Sequence, residues 1–181
     1  MKKQEKIGLI QRAIDETVIC RCWFTYDRNY FYYYPNAVNG KFILGQEEDD
    51  FLLDGYCIRK ISQLKRVEIK DDKCQEINKI FGTAEQVVDP GIDISTWQSI
   101  FSALSVRDEY IQIEDAINGQ FAIGVIEKVL RDRLYFRRFD ADGIWDEDSL
   151  EIRYSQITSV SWGTRYARCW KRYLERDGLH V

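Results

Sequence analysis

Ile61-Ser62-Gln63-Leu64-Lys65-Arg66-Val67 returns later in the chain as Tyr154-Ser155-Gln156-Ile157-Thr158-Ser159-Val160. In both copies an alternating, strand-like segment leads in and a segment of helical period leads out. Ser62 and Ser155 stand 93 positions apart. A shift of 93 lays one half of the chain on the other without a gap. Residues 3–14 fall on 96–107, and the Asn39-Gly40 turn falls on Asp132-Arg133. Ile77, Ile80 and Phe81 fall on Trp170, Tyr173 and Leu174. Turns on turns and apolar stripes on apolar stripes mark a repeated supersecondary unit. Shorter matches at shifts of 79 and 105 cannot both belong to one collinear alignment and read as coincidences between hairpins.

Each unit reads as helix, five short strands, helix. In the first, Ile7, Ile10 and Ile14 give residues 3–14 a helical period. β-Branched and aromatic residues make strands of 17–24 and 30–34. Asn39-Gly40 is the clearest hairpin signal, since both residues accept the positive φ of a type I′ turn. Strands at 41–46, 56–61 and 64–69 follow, with Glu47-Glu48-Asp49-Asp50 as an acidic loop and Asp54-Gly55 as a turn. Cys74, Ile77, Ile80 and Phe81 stripe a short helix ending near Gly82. Ser95 and Gln98 have the form of a capping box for a helix over 96–105. Strands are expected at 109–114, 121–129, 134–139, 150–154 and 157–162, with Gly124 where a strand would bend. Tyr166, Trp170, Tyr173 and Leu174 lie on one face of a last helix, with Trp170 expected to be largely buried. The domains are therefore 1–82, a linker at 83–94 carrying the turn Asp89-Pro90-Gly91, and 95–181. Short strands at this spacing suggest two small, strongly bent five-stranded barrels, because closure removes exposed edges.

The run Ile157-Thr158-Ser159-Val160-Ser161-Trp162-Gly163-Thr164-Arg165-Tyr166 resembles the closing motif of an uncharacterised bacterial family of tandem Sm-like barrels. Ile92-Asp93-Ile94-Ser95 before a helix and Asp54-Gly55-Tyr56 before a strand are similar too, and the resemblance covers roughly residues 50 to 175. Trp162 and Thr164 depart from the Phe and Gly that the family pattern leads one to expect. The resemblance implies two tandem Sm-like barrels and no assigned activity.

Composition narrows the function. The 181 residues are 45% hydrophobic and 31% charged, as in a globular protein. No apolar run approaches the ~20 residues of a membrane span, so a cytoplasmic protein without membrane contact is expected. Net charge is −4, against a strongly basic nucleic-acid binder. The five cysteines have no scaffold spacing and read as buried, reduced thiols. Cys20 and Cys22, two apart in a strand, share a face.

Catalysis finds no foothold. His180 is the only histidine and sits beside the terminal Val181, so no Ser-His or Cys-His pair can form. No phosphate-binding loop occurs. The acidic clusters at Glu47 to Asp50 and at Asp140, Asp142, Asp146, Glu147 and Asp148 could take a hard cation through oxygens. They lack the glycine-punctuated spacing of a calcium loop and read as solvated loops. No catalytic, cofactor-binding or metal residue is therefore assigned.

Contact residues are better supported. Tyr30-Phe31-Tyr32-Tyr33-Tyr34 is the densest aromatic run, and alternation sends Tyr30, Tyr32 and Tyr34 to one side. Either that side faces a partner or another part of the chain covers it. Arg137 and Arg138 crowd a basic hairpin with Lys128, Arg131 and Arg133. Tyrosine with arginine is the composition of contact hot spots. The expectation is a non-enzymatic protein–protein interaction module of immunity or adaptor type, with Tyr30, Tyr32, Tyr34, Arg137 and Arg138 as partner-binding residues. The alternative is an RNA-binding Sm-like protein that stacks bases and contacts phosphates.

Overall fold

A computed structural model describes residues 1–176; His180 lies outside them. The chain divides into two compact units, Met1–Ile94 and Ser95–Val181. Each is mainly β, with short helices at its two ends.

In the first unit, helix α1 (Lys3–Glu16) buries Ile10 and Ala13 completely and ends at Thr17, whose φ of 47° turns the chain out of the helix. That cap delays the first strand, so β1 is Cys20–Phe24, with Cys20, Cys22 and Phe24 inward. Strand β2 (Tyr30–Val38) runs through Pro35, where a slip of register against the next strand absorbs the missing N–H. Strands β3 (Phe42–Asp49) and β4 (Leu52–Lys60) lead to a single 3-10 turn at Ile61–Gln63, the Ser-Gln corner of the repeat. Strand β5 (Leu64–Ile69) returns beside β1, giving the order β5-β1-β2-β3-β4. Helix α2 (Lys73–Ile80) follows.

Two turns differ from expectation. Asn39-Gly40 does lie between β2 and β3, yet neither residue has a positive φ. The Asn39 side chain instead accepts from the N–H groups of Lys41 (2.7 Å) and Phe42 (2.8 Å) and builds the bend itself. The positive-φ pair is Asp50 (48°) and Phe51 (68°), joining β3 to β4. Glu47 to Asp49 therefore belong to β3 rather than to an acidic loop. Asp54 and Gly55 are no turn either. They form a bulge inside β4 opposite Glu47, with Gly55 at φ 73°.

The stripe on α2 is also corrected. Ile80 and Phe81 are exposed, while Gln75 and Asn78 are buried. Asn78 donates to the Cys74 carbonyl at 3.0 Å, and Gln75 receives the Ile19 N–H at 3.4 Å. Residues 83–94, expected as a linker, are tied to the first unit's sheet. Val88 N–H donates to Gln46 Oε1 at 2.9 Å, and Asn39 Nδ2 donates to the Ile94 carbonyl at 2.7 Å.

In the second unit, helix α3 (Trp97–Leu104) is capped by Thr96 and Ser99, one residue later than the Ser95–Gln98 box. Strands β6 (Ile111–Asp115), β7 (Gln120–Val129), β8 (Arg133–Arg138), β9 (Leu150–Arg153) and β10 (Ser159–Trp162) lie in the order β10-β6-β7-β8-β9. This is the first unit's order repeated. Gly124 sits in β7 where an added Cβ would come within 2.0 Å of the Arg137 carbonyl oxygen, so β8 crosses there at a distance only glycine permits. Helix α4 (Arg165–Arg176) lays Ala167, Leu174 and part of Trp170 over Tyr110, Ile123 and Phe139. Trp170 is half-buried, and Tyr166 and Tyr173 are exposed.

The repeat holds in register, with one correction to its spacing. Cys22 pairs with Phe31, and Ile113 pairs with Ala122. Tyr34 pairs with Gln46, and Val125 pairs with Arg137. These are shifts of 91. The slip between Pro35 and Ala37 recurs between Ile126 and Lys128. From the fourth strand on the shift is 93: Ile43 pairs with Arg59, and Leu134 pairs with Ile152. Two extra residues therefore lie between the third and fourth strands of the second unit. The Asn39-Gly40 bend accordingly corresponds to Leu130-Arg131. Asn39 N–H donates to Phe42 O, and Leu130 N–H to Arg133 O. The expected barrels are not closed by hydrogen bonding. Within each unit no ladder among the described residues joins the fourth strand to the fifth.

Candidate contact surface

The outward side of β1, β2 and β5 carries a compact aromatic–arginine group. Register puts Arg21 opposite Tyr32 and Glu68, and Trp23 opposite Tyr30 and Arg66. The Arg21 guanidinium lies 4.2 Å from the Tyr30 ring centre and 5.3 Å from that of Tyr32. It donates to the Tyr32 hydroxyl at 2.8 Å and to Glu68 at 3.3 Å. Arg66 lies 4.8 Å over Trp23 and bonds the other Glu68 oxygen at 2.6 Å. Tyr30 packs against Trp23 and Tyr32, ring centres 5.3 and 5.2 Å away. Burial pushes the Tyr32 hydroxyl above its ordinary pKa, against the bond from Arg21 that favours its ionised form. A cation held over two rings and by two hydrogen bonds has lost rotamer freedom before any partner arrives.

The aromatic run divides more finely than alternation implies. Tyr30 is 41% exposed and Tyr32 half-buried, but Tyr34, on the same side, is 1% exposed. Its hydroxyl is buried without a hydrogen-bond partner, and burial with nearby Glu48, Cys74 and Glu85 pushes its pKa up strongly. Tyr34 is therefore a core residue and leaves the contact set.

Phe31 and Tyr33 face inward onto a group the sequence reading missed. Arg59, 5% exposed, donates from Nε to the Tyr33 hydroxyl at 2.7 Å and reaches Asp27 at 3.3 Å and Glu47 at 3.5 Å. Its guanidinium stacks 4.2 Å from Phe31 and 5.0 Å from Phe24. Tyr33 in turn donates to Glu47 at 2.8 Å. A lone arginine in an alternating strand gives no sign in sequence that it points inward. Only the β3–β4 register places it there.

Beside Tyr30 and Tyr32 lies a cleft of about 500 Å³, walled by Asp27, Arg28, Tyr30, Tyr32, Glu47 and Asp49 among others. Its carboxylates do not converge as ligands. Among the described residues, no group of three or more Asp, Glu, Cys or His side chains is placed to hold a metal ion. Glu48 is turned inward and accepts the Phe51 N–H at 2.6 Å, which holds the positive-φ turn, and burial raises its pKa.

Arg137 and Arg138 are already engaged. Arg137 bonds Glu127 at 2.8 Å and Arg138 bonds Asp146 at 2.6 Å, so each positive charge is met by a carboxylate. Adjacent in β8, they point to opposite faces. The structure does not bring them together with each other. Of the five cysteines, Cys20, Cys22 and Cys57 are buried thiols in no disulfide, with the sulfurs of Cys20 and Cys22 3.8 Å apart. Cys169 is exposed, contrary to expectation.

No family model matches the chain, and neither a curated protein nor a solved structure matches it.

Proposed function

We propose that this chain is a non-enzymatic protein–protein interaction module, contacting its partner through Arg21, Trp23, Tyr30, Tyr32 and Arg66. The observation that carries the reading is the Arg21 guanidinium locked over Tyr30 and Tyr32 on an outward sheet face. Pre-ordered aromatic and arginine side chains give contact area at little entropic cost. In the finer form of the reading each unit is a Sm-like small barrel, and the chain belongs with the bacterial tandem Sm-like proteins its closing motif resembles. The shared strand order, and the short 3-10 turn between β4 and β5, support this. A cytoplasmic immunity or adaptor role fits. Arg137 and Arg138 act at most as rim charges, since each is already paired.

The test is capture of partners from native lysate with and without nuclease, using the wild type, Tyr30→Ala and Arg21→Ala. Tyr30→Ala should keep the melting temperature and weaken capture at least tenfold, as loss of a contact anchor does. Capture that disappears with nuclease and falls with salt would replace this reading by RNA binding.

A further inference from the structure

The repeated register allows the inner faces of the two units to be compared residue by residue. Phe24, Phe31, Tyr33 and Arg59, the stacked filling of the first unit, correspond to Asp115, Ala122, Gly124 and Ile152 in the second. Three aromatic side chains have become aspartate, alanine and glycine. The second unit holds a pocket of about 140 Å³ at that place, lined by the aliphatic Ile113, Ala122, Ile152 and Ile157 and, among others, by the charged Asp115 and Arg138. A cavity of about 150 Å³ lined by aliphatic side chains takes a benzene ring.

Two further observations say what kind of occupant fits. First, the pocket opens along β9, which carries no ladder on its second side among the described residues. Tyr154 N–H donates to Asp132 O beside β8, while Arg153 N–H turns the other way to Gln156 Oε1. By the strand's period of two, the Glu151 N–H and C=O face the open side with Arg153, ready for an added strand. Second, of the charged groups at the pocket wall, Arg138 is already paired with Asp146 at 2.6 Å and Glu151 with Arg133 at 3.0 Å, whereas the hydrogen bonds that Glu114 and Asp115 receive come from neutral groups, Ser159 and Asn118. Their charge favours a cation close to the ring.

From this geometry we infer that the second unit binds an extended segment of a partner protein along β9, with a phenylalanine-sized ring in the pocket and a basic residue beside it. The ring takes the place that Phe31 fills from within in the first unit. Its residues belong to the second unit, whereas the Arg21–Tyr30 face belongs to the first.

The test titrates the intact chain, labelled at isoleucine δ1 methyls, with the blocked peptide Ac-Lys-Val-Phe-Val-Lys-NH2. Saturable shifts are expected at Ile113, Ile152 and Ile157. Replacing the peptide's phenylalanine by alanine should weaken binding at least tenfold, the worth of burying such a ring. Glutamates in place of its lysines should weaken it too. Ala122→Phe, which gives the second unit the ring the first already has, should abolish the shifts in a folded protein. Ala122→Leu serves if that variant does not fold. No saturable shift at these methyls up to about 1 mM peptide, or equal binding of the alanine peptide, would overturn the inference. Arg21→Ala and Tyr30→Ala should leave the titration unchanged, so the outcome does not depend on the first unit's face.

Discussion

The guanidinium carbon of Arg59 lies 4.2 Å from the centre of the Phe31 ring, inside the first unit. Burial opposes the charge, and the surrounding Tyr33, Cys57 and Glu47 more than restore it, so the guanidinium stays protonated. Removing one member of a buried charged network costs about 3–5 kcal/mol. Arg59→Ala should therefore lose about that much in urea unfolding. A loss below about 1 kcal/mol would mean the network is dispensable.

Tyr33 and Tyr34 are neighbours with opposite needs. The Tyr33 hydroxyl receives a bond from Arg59 and gives one to Glu47, while the buried Tyr34 hydroxyl has none. Hydrogen bonds to charged groups are worth about 1.5–3 kcal/mol, whereas an unsatisfied buried hydroxyl is a cost. Tyr33→Phe should destabilise by about 2 kcal/mol, and Tyr34→Phe should be neutral or stabilise by about 1 kcal/mol. Equal effects in chemical denaturation would contradict the assigned bonds.

At the β2–β3 bend the asparagine matters and the glycine does not. Asn39→Ala removes an acceptor for two N–H groups and a donor to Ile94, and should cost about 1–2 kcal/mol. Gly40 has no positive φ, and a Cβ there would meet only the Lys3 ammonium at 3.7 Å. Gly40→Ala should be neutral or stabilise by about 0.5 kcal/mol. A Tm that drops with Gly40→Ala would restore the type I′ turn.

Alkaline titration gives a test across both units. Burial raises Tyr26 and Tyr154 from the ordinary 10 to about 12, and the Arg59 charge offsets only part of the rise at Tyr26. Below pH 10 these hydroxyls are neutral in folded and unfolded chains, so their contribution is constant. Between pH 10 and about 12 the unfolded chain loses protons that the folded chain keeps, and stability falls as pH rises. Phenolate absorbance should therefore show a late-titrating class in the native state, with stability declining above pH 10. Tyr26→Phe should flatten that decline. A native titration with every tyrosine near 10 would remove the basis for it.

What the sequence determined alone was local and periodic. The Ser62 and Ser155 corners, the alternating strands and the helix at each unit's end rest on neighbours a few residues away, and those segments form at or near the expected positions. That Tyr30 and Tyr32 share a face was legible for the same reason, because side chains two apart in a strand point the same way. Tertiary structure decided everything that depends on what lies across a ladder. Asp50-Phe51 takes the positive φ because Glu48 and the β3–β4 pairing impose it, against local preference. Tyr34 is lost to the core although Tyr30 and Tyr32 are not. The spacing of the repeat is 91 before the fourth strand and 93 after it, since bulges and loops of different length cancel in a count along the chain but not across a sheet. Arg59 and the void at Ala122 are the sharpest case. One alternating pattern serves both strands, and only the facing residues decide whether the unit is filled by its own rings or left with room for another.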